Sequence, residues 1–145
     1  MAVTKDVVES AIRCWNAGDR EGWLAFAAPD ILVDEGQGRP AWAALYDTWA
    51  GAFPDRQIEP QQTVEEGEFC AVVARLAGTH TGTLRLGSIP EAAEIPPTGR
   101  RVAATYVAIN RVVEGKIAAA EHYWDRMELF RQLGLMPGVA PGATA

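Results

Sequence analysis

The chain has 145 residues, of which 48% are hydrophobic and 22% charged, a composition typical of one globular domain that can bury a core. Thirteen basic and nineteen acidic side chains give a formal net charge of −6, which disfavours binding to nucleic acid or to an anionic membrane surface. There is no secretion signal and no run long enough to span a bilayer, so we expect a cytoplasmic protein. Cys14 and Cys70 lack metal-ligand spacing, which favours two reduced thiols and no metal site.

Three helices are predicted in the first part of the chain. Thr4 can cap a helix that runs to about residue 16, and Asp19 can cap a second, short helix that ends before Pro29. Residues 31–35 read as a short strand. A third helix, which Pro54 ends, is indicated by large apolar residues at spacings of three and four: Trp42, Leu45, Tyr46, Trp49 and Phe53.

Four strands are predicted after the helices, because the sequence becomes rich in Val, Ala, Thr and Tyr. They cover residues 57–66, 69–86, 101–113 and 116–125. Tight turns at Glu66-Gly67 and Glu114-Gly115 predict that each flanking pair forms an antiparallel hairpin. The predicted class is therefore α+β, with a cone-shaped curved antiparallel sheet packed against three N-terminal helices.

The domain limits follow from turn-forming residues. Residues 87–98 contain three prolines and two glutamates and read as a polar loop within the domain, which could serve as a lid or an interface. Residues 139–145 read as a flexible tail, so residues 1–138 are expected to form a single domain. The open end of a cone is a place for a small-molecule cavity.

Asp125, at the end of the last predicted strand, is the main catalytic candidate. An acid held among Tyr123, Trp124 and other large side chains would be poised for proton transfer. Strict alternation puts Glu121, Tyr123 and Asp125 on one face and His122 on the other, although alternation does not say which face is inside. The alternative role for Asp125 is to cap the short helix predicted over residues 127–134.

The order of several motifs resembles the SnoaL-like polyketide cyclases of the nuclear-transport-factor-2-like superfamily. The likeness covers nearly the whole chain and rests on Phe53-Pro54-Asp55, residues 78–82 (GTHTG), residues 97–100 (PTGR), residues 114–117 (EGKI), Asp125 and residues 132–134 (QLG). The resemblance implies a cone-shaped barrel in homodimers or homotetramers, without metal or organic cofactor. It further implies an enzyme that closes a ring in a small apolar or aromatic polyketide-like substrate by intramolecular aldol addition, with Asp125 as acid/base.

Arg111 departs from the family pattern, because these cyclases place a histidine on the strand before the final hairpin turn. Arg111 cannot relay a proton at neutral pH, but it could stabilise ionised Asp125 or bind an oxyanion. His80 could instead hold a hydrogen bond at a sheet bend, and Glu121 could form an ion pair with Arg111 or Arg126. The expected substrate contacts are Trp15, Trp49, Phe53, His80, Tyr106, Glu121 and Tyr123.

Two other classes of function remain open from the sequence. The same fold carries cofactor-free isomerases, dehydratases, epoxide hydrolases and hydroxylases. Epoxide hydrolysis would need a second carboxylate, for which Asp34, Glu35 and Glu121 are the candidates. The noncatalytic alternative is a small-molecule-binding module in which Asp125 is solvated and only caps a helix.

Overall fold

The computed structural model describes residues 4–86 and 94–135. The helices are α1 (Thr4–Ala17), α2 (Arg20–Ala25), α3 (Arg39–Ala52) and α4 (Arg126–Gln132). The strands are β1 (Ala27–Val33), β2 (Gly36–Gln37), β3 (Gln57–Glu66), β4 (Phe69–Thr79), β5 (Arg101–Val113) and β6 (Lys116–Trp124). None of the described helices has the length and apolarity needed to cross a membrane. The tail predicted over residues 139–145 and most of the 87–98 loop lie outside the described residues.

The strands form one curved sheet in the order β2-β1-β6-β5-β4-β3. Both predicted hairpins are confirmed, with β3 antiparallel to β4 and β5 antiparallel to β6. β1 joins the other side of β6 in parallel, so the sheet is mixed rather than wholly antiparallel. No tight turn links β1 to β6, and hence no local signal set their relative direction. The α+β cone with three N-terminal helices is confirmed.

β4 ends at Thr79, seven residues before the predicted end at residue 86. The Asp55 carboxylate accepts hydrogen bonds from the Thr79 backbone N–H (2.7 Å) and hydroxyl (2.9 Å), so both donors at the end of the strand have a partner. The chain then leaves the sheet, and Gly82 donates to the Ala52 carbonyl at the end of α3 (3.1 Å). A Cβ at Gly82 would lie 1.8 Å from the Gly51 carbonyl oxygen, so this close approach requires glycine.

A β-bulge in β6 changes which side chains face the helices. Val112 pairs with Ile117 and Arg111 pairs with Ala119, which leaves Ala118 as an extra residue. Ile117 therefore points inward and is 1% exposed, and beyond the bulge the even-numbered residues point inward. The predicted strict alternation, which put Ile117 on the face of Tyr123, is wrong for this reason.

Stacked tryptophans hold α2 and α3 together beneath the sheet. The Trp23 and Trp42 rings are parallel with centroids 4.1 Å apart, and each indole N–H donates to the other's backbone carbonyl, at 3.4 and 2.9 Å. The buried Arg56 guanidinium lies over the rings of Trp15 (5.0 Å) and Tyr46 (4.6 Å), a favourable cation–π arrangement. The helices are thus fixed in place around the space that they enclose with the sheet.

Candidate active site

A cavity of about 120 Å³ lies between the helices and the inner face of the sheet. Trp15, Trp49 and Phe53, which the sequence predicts as cavity wall, do line it, and so does Tyr106. Most of the remaining wall is apolar, with Trp23, Leu45, Ile58, Leu76, Val102, Trp124 and Leu129 among its residues. Such a wall suits an apolar or aromatic ligand, and the few polar groups would set its orientation.

The polar part of the cavity wall is a pair formed by Asp34 and His122. The Asp34 Oδ2 oxygen lies 2.9 Å from His122 Nδ1, and Asp34 Oδ1 accepts the backbone N–H of His122 at 2.8 Å. A carboxylate can only accept, so Nδ1 carries the proton and Nε2 carries the lone pair. The His122 side chain is 17% exposed and that of Asp34 is 40% exposed, so the carboxylate lies on the solvent side of the imidazole.

Local backbone structure brings Asp34 to β6. Asp34 begins the two-residue turn between β1 and β2 with a φ of +50°, a left-handed conformation that aspartate tolerates better than most residues. Its backbone N–H donates to the Ala120 carbonyl (3.0 Å), which continues the parallel ladder of β1 and β6. Its carboxylate then takes the next N–H of β6, that of His122, and is held beside the imidazole.

The electrostatics of the site favour an ionised Asp34. Partial burial acts to raise the pKa of Asp34, but the ring and backbone hydrogen bonds from His122 and the imidazole charge outweigh it and hold the pKa below its usual range. Burial raises the pKa of the Tyr106 hydroxyl, which therefore keeps its proton. The Tyr106 and His122 ring centroids are 6.4 Å apart. Among the described residues of the wall, Asp34, His122 and Tyr106 are the titratable ones.

Asp125 does not join this pair. Its carboxylate accepts the backbone N–H of Glu128 at 3.0 Å and caps α4, the alternative role considered for it. Asp125 is exposed and does not line the cavity. The structure therefore shows the capping role of Asp125, and at this end of β6 the residues that face the cavity are its neighbours His122 and Trp124.

The other predicted polar contacts also lie away from the cavity. Arg111 is exposed on the outer face, where its guanidinium pairs with Glu68 (3.1 Å), and it does not line the cavity. Glu121 accepts the Tyr123 hydroxyl on the same outer face and pairs with neither Arg111 nor Arg126. Both residues are exposed, so neither contacts a ligand in the cavity of one copy of the chain.

His80 is fully buried behind Phe53, with ring centroids 5.3 Å apart, and is not part of the cavity wall. Its Nδ1 accepts the backbone N–H of Thr98 (3.2 Å), and its backbone N–H donates to the Arg100 carbonyl (2.9 Å). Burial lowers the pKa of His80. Its structural role, holding the segment after β4 against residues 98–100, is the alternative considered from the sequence.

No group of three or more His, Cys, Asp or Glu side chains within residues 4–86 and 94–135 is arranged to hold a metal ion. The site is thus a mainly apolar cavity with one imidazole beside a carboxylate and one partly buried phenol. This arrangement is typical of a small-molecule site in which a cone-shaped α+β domain encloses an apolar ligand and a few polar groups set its orientation.

The family model for SnoaL-like polyketide cyclases matches residues 5–133, and the chain belongs to this family. A similar protein is aklanonic acid methyl ester cyclase DnrD of Streptomyces peucetius, 27% identical over 142 residues that cover 92% of each chain. AclR of Streptomyces galilaeus, a hydroxylase candidate, has a TM-score of 0.77 at 26% identity and covers 94% of this chain and 84% of its own. TsrD of Streptomyces laurentii has a TM-score of 0.78 at 23% identity, over 91% of this chain and 95% of its own.

Proposed function

We propose that the chain is a polyketide cyclase in which His122, oriented by Asp34, is the acid/base. The observation that carries the proposal is the contact of 2.9 Å between Asp34 Oδ2 and Nδ1 of His122, an imidazole in the wall of a mainly apolar cavity, which leaves Nε2 to act on a ligand. An imidazole is suited to accept and return a proton near neutral pH. The assignment replaces Asp125, whose carboxylate is engaged in capping α4.

The proposed reaction is an intramolecular aldol addition. His122 Nε2 takes a proton from a carbon that lies between two carbonyl groups, and the resulting enolate attacks a second carbonyl carbon of the same molecule. One carbon–carbon bond forms, the attacked oxygen becomes an alkoxide, and the imidazolium returns the proton to it. Tyr106, which burial keeps protonated, donates a hydrogen bond to the enolate oxygen. The apolar wall folds the substrate into a reactive conformer, which contributes to rate through orientation.

The named activity of a similar protein supports the proposed substrate class. DnrD is an aklanonic acid methyl ester cyclase, and its similarity extends over 92% of both chains. An apolar or aromatic ester suits a cavity wall that contains Trp15, Trp49, Phe53 and Trp124. We therefore propose a small apolar or aromatic polyketide, or its methyl ester, as the substrate.

The test is to incubate the purified protein with a methyl ester of the aklanonic acid type. We expect an isomer of unchanged mass with one new ring, detected by chromatography and proton NMR. In deuterium oxide, an analogue that lacks the attacked carbonyl should exchange its activated hydrogen only when the protein is present, because the base can still remove it. If neither ring closure nor exchange occurs, the cyclase proposal is wrong, and hydroxylation or simple ligand binding replaces it.

We also propose that the outer face of the sheet joins two copies of the chain. Exposed apolar side chains cross several strands there, with Val64 55%, Phe69 52%, Ile109 36% and Tyr123 55% exposed. The strand pairing places two of these side chains in one row across the sheet. Val64 of β3 pairs with Ala71 of β4, and Ala71 pairs with Ile109 of β5. Burying such a face against a second copy removes apolar area from water, and a twofold contact would be self-complementary.

Replacing Ile109 by Asp is expected to convert a dimer into a monomer, because two carboxylates would be buried at the twofold contact. Sedimentation equilibrium measures the mass. Met127→Asp is the matched control, since Met127 is 54% exposed on α4 rather than on the sheet, and it should leave the mass unchanged. A wild-type protein that is monomeric at micromolar concentration would remove this proposal.

A further inference from the structure

A second, smaller cavity of about 30 Å³ adjoins the first. His122 and Tyr106 line both cavities, so the imidazole stands at their junction. The small cavity is also lined by Ala108 and Asn110 of β5, and otherwise mainly by apolar residues. One water needs a cavity volume of about 10–15 Å³, so the small cavity has room for about two waters.

The register of β5 and β6 explains why this space exists. Ala108 lies directly opposite His122, and Asn110 lies opposite Ala120, so Asn110 is the diagonal neighbour of His122 on the inner face. Ala108 contributes only a methyl group and leaves the volume above it unfilled. Diagonal neighbours lie about 7–8 Å apart as residue positions, close enough for the two side chains to border one small space.

Asn110 supplies the polar group that a water in this space needs. Its side chain is 4% exposed, and its Nδ2 donates to the Cys70 carbonyl over 3.4 Å. No residue that the structure describes donates a hydrogen bond to its Oδ1. An amide oxygen that has no protein donor and borders a space with room for water favours hydration of that space.

We propose that a water held in the small cavity by Asn110 Oδ1 hydrogen-bonds to His122, and that Asn110 is a positioning residue acting through this water. In the ligand-free protein the water accepts a hydrogen bond from Nε2–H of the protonated imidazole and donates one to Asn110 Oδ1, because Nδ1–H is bonded to Asp34. It therefore stabilises the imidazolium of the free protein. The kinetic part of this inference rests on the proposed cyclase function, whereas the water site itself does not.

The charged and titratable groups that face His122 are few. Asp34 contacts the imidazole from the turn after β1, and Tyr106 faces it from β5. The other described residues that line the two cavities are uncharged. Removing the hydrogen bond from the water should therefore change the protonation of His122 without interference from a further ionisable group.

The experiment is an NMR titration of the imidazole signals in the ligand-free protein, which contains only two histidines. Asn110→Leu removes the acceptor at nearly constant volume, and Ala108→Val fills the small cavity but keeps Asn110. In both variants the titration midpoint of His122 should fall by about 0.5–1 pH unit, because the imidazolium loses a partner. Ala108→Ser puts a hydroxyl where the water would lie and should restore the wild-type midpoint to within about 0.2 unit.

A second readout separates this inference from the cyclase proposal. If ring closure is observed, the acid limb of the kcat/KM profile, which reports the free enzyme, should move to lower pH by the same amount in Asn110→Leu and Ala108→Val. If ring closure is absent but the midpoint moves as expected, the water site stands and the cyclase proposal falls. An unchanged His122 midpoint in Ala108→Val overturns the water site, even where Asn110→Leu fails to fold.

Discussion

Replacing His122 by Asn is expected to lower kcat for ring closure by about 10²–10⁴-fold, the usual contribution of a general acid/base. The asparagine Nδ2 can take the place of imidazole Nδ1 and still donate to Asp34, so the contact with the turn after β1 is retained. The variant lacks Nε2, however, and cannot exchange a proton. Because the apolar part of the cavity wall is unchanged, KM should vary by no more than a few-fold. Steady-state kinetics and a thermal unfolding curve measure the two effects.

Asp125→Asn is the control for this experiment. The amide oxygen can still accept the Glu128 N–H, so α4 remains capped and activity should stay within about twofold of wild type. The two variants therefore distinguish His122, the acid/base candidate from the structure, from Asp125, the candidate from the sequence. Loss of activity in Asp125→Asn, with His122→Asn fully active, would reinstate Asp125 and refute the present assignment.

The elements of the fold that local signals control were predicted well. The Asp19 cap is present, since its carboxylate accepts the Gly22 N–H (2.9 Å), and Pro54 lies just beyond the end of α3. Both hairpins are formed at the predicted turns because a two-residue connection leaves the chain little choice. The parallel contact of β1 with β6 has no such signal, as it depends on how α1 and α2 pack.

The site was harder to predict, because one residue in β6 decides which side chains face the cavity. The extra residue Ala118 reverses the alternation between Ile117 and His122, and nothing in the run of small residues before it marks a bulge. Alternation separated His122 from Asp125 correctly but left open which face is inside, so the place of Asp125 at the strand end and the family resemblance favoured it as the acid. The large aromatics were less sensitive to this ambiguity, because helical spacing put Trp15, Trp49 and Phe53 on the enclosed side of α1 and α3.

Asp34 shows a second limit of sequence reasoning. It is 88 residues away from His122, and only its position in the turn after β1 brings the carboxylate to the imidazole. The sequence identified it merely as one of three possible second carboxylates. A turn aspartate has many uses, and its partner becomes evident only when the neighbouring strand is known.

Asp34→Asn is expected to lower kcat by about tenfold to a thousandfold through the tautomer of His122. The amide Oδ1 can still accept the backbone N–H of His122, so the turn should keep its structure. The amide Nδ2, however, would donate to imidazole Nδ1, which moves the ring proton to Nε2 and removes the lone pair that takes the substrate proton. Nitrogen-15 chemical shifts of the ring report this exchange of tautomers independently of activity.

The loss of the Asp34 carboxylate should also change how the rate depends on pH, in a direction that follows from the charge on Asp34. The pKa of Asp34 is held low by its bonds to His122, so in the wild type the carboxylate stays ionised throughout the pH range in which an imidazole base works. The wild-type rate should therefore fall on the acid side only as His122 becomes protonated. In Asp34→Asn the imidazolium loses its ionic partner, so the acid limb should move to lower pH while the maximum rate drops. Asp30→Asn, an exposed aspartate of β1, should change neither. An Asp34→Asn enzyme with wild-type rate and an Nδ1-protonated ring would show that the carboxylate does not orient the base.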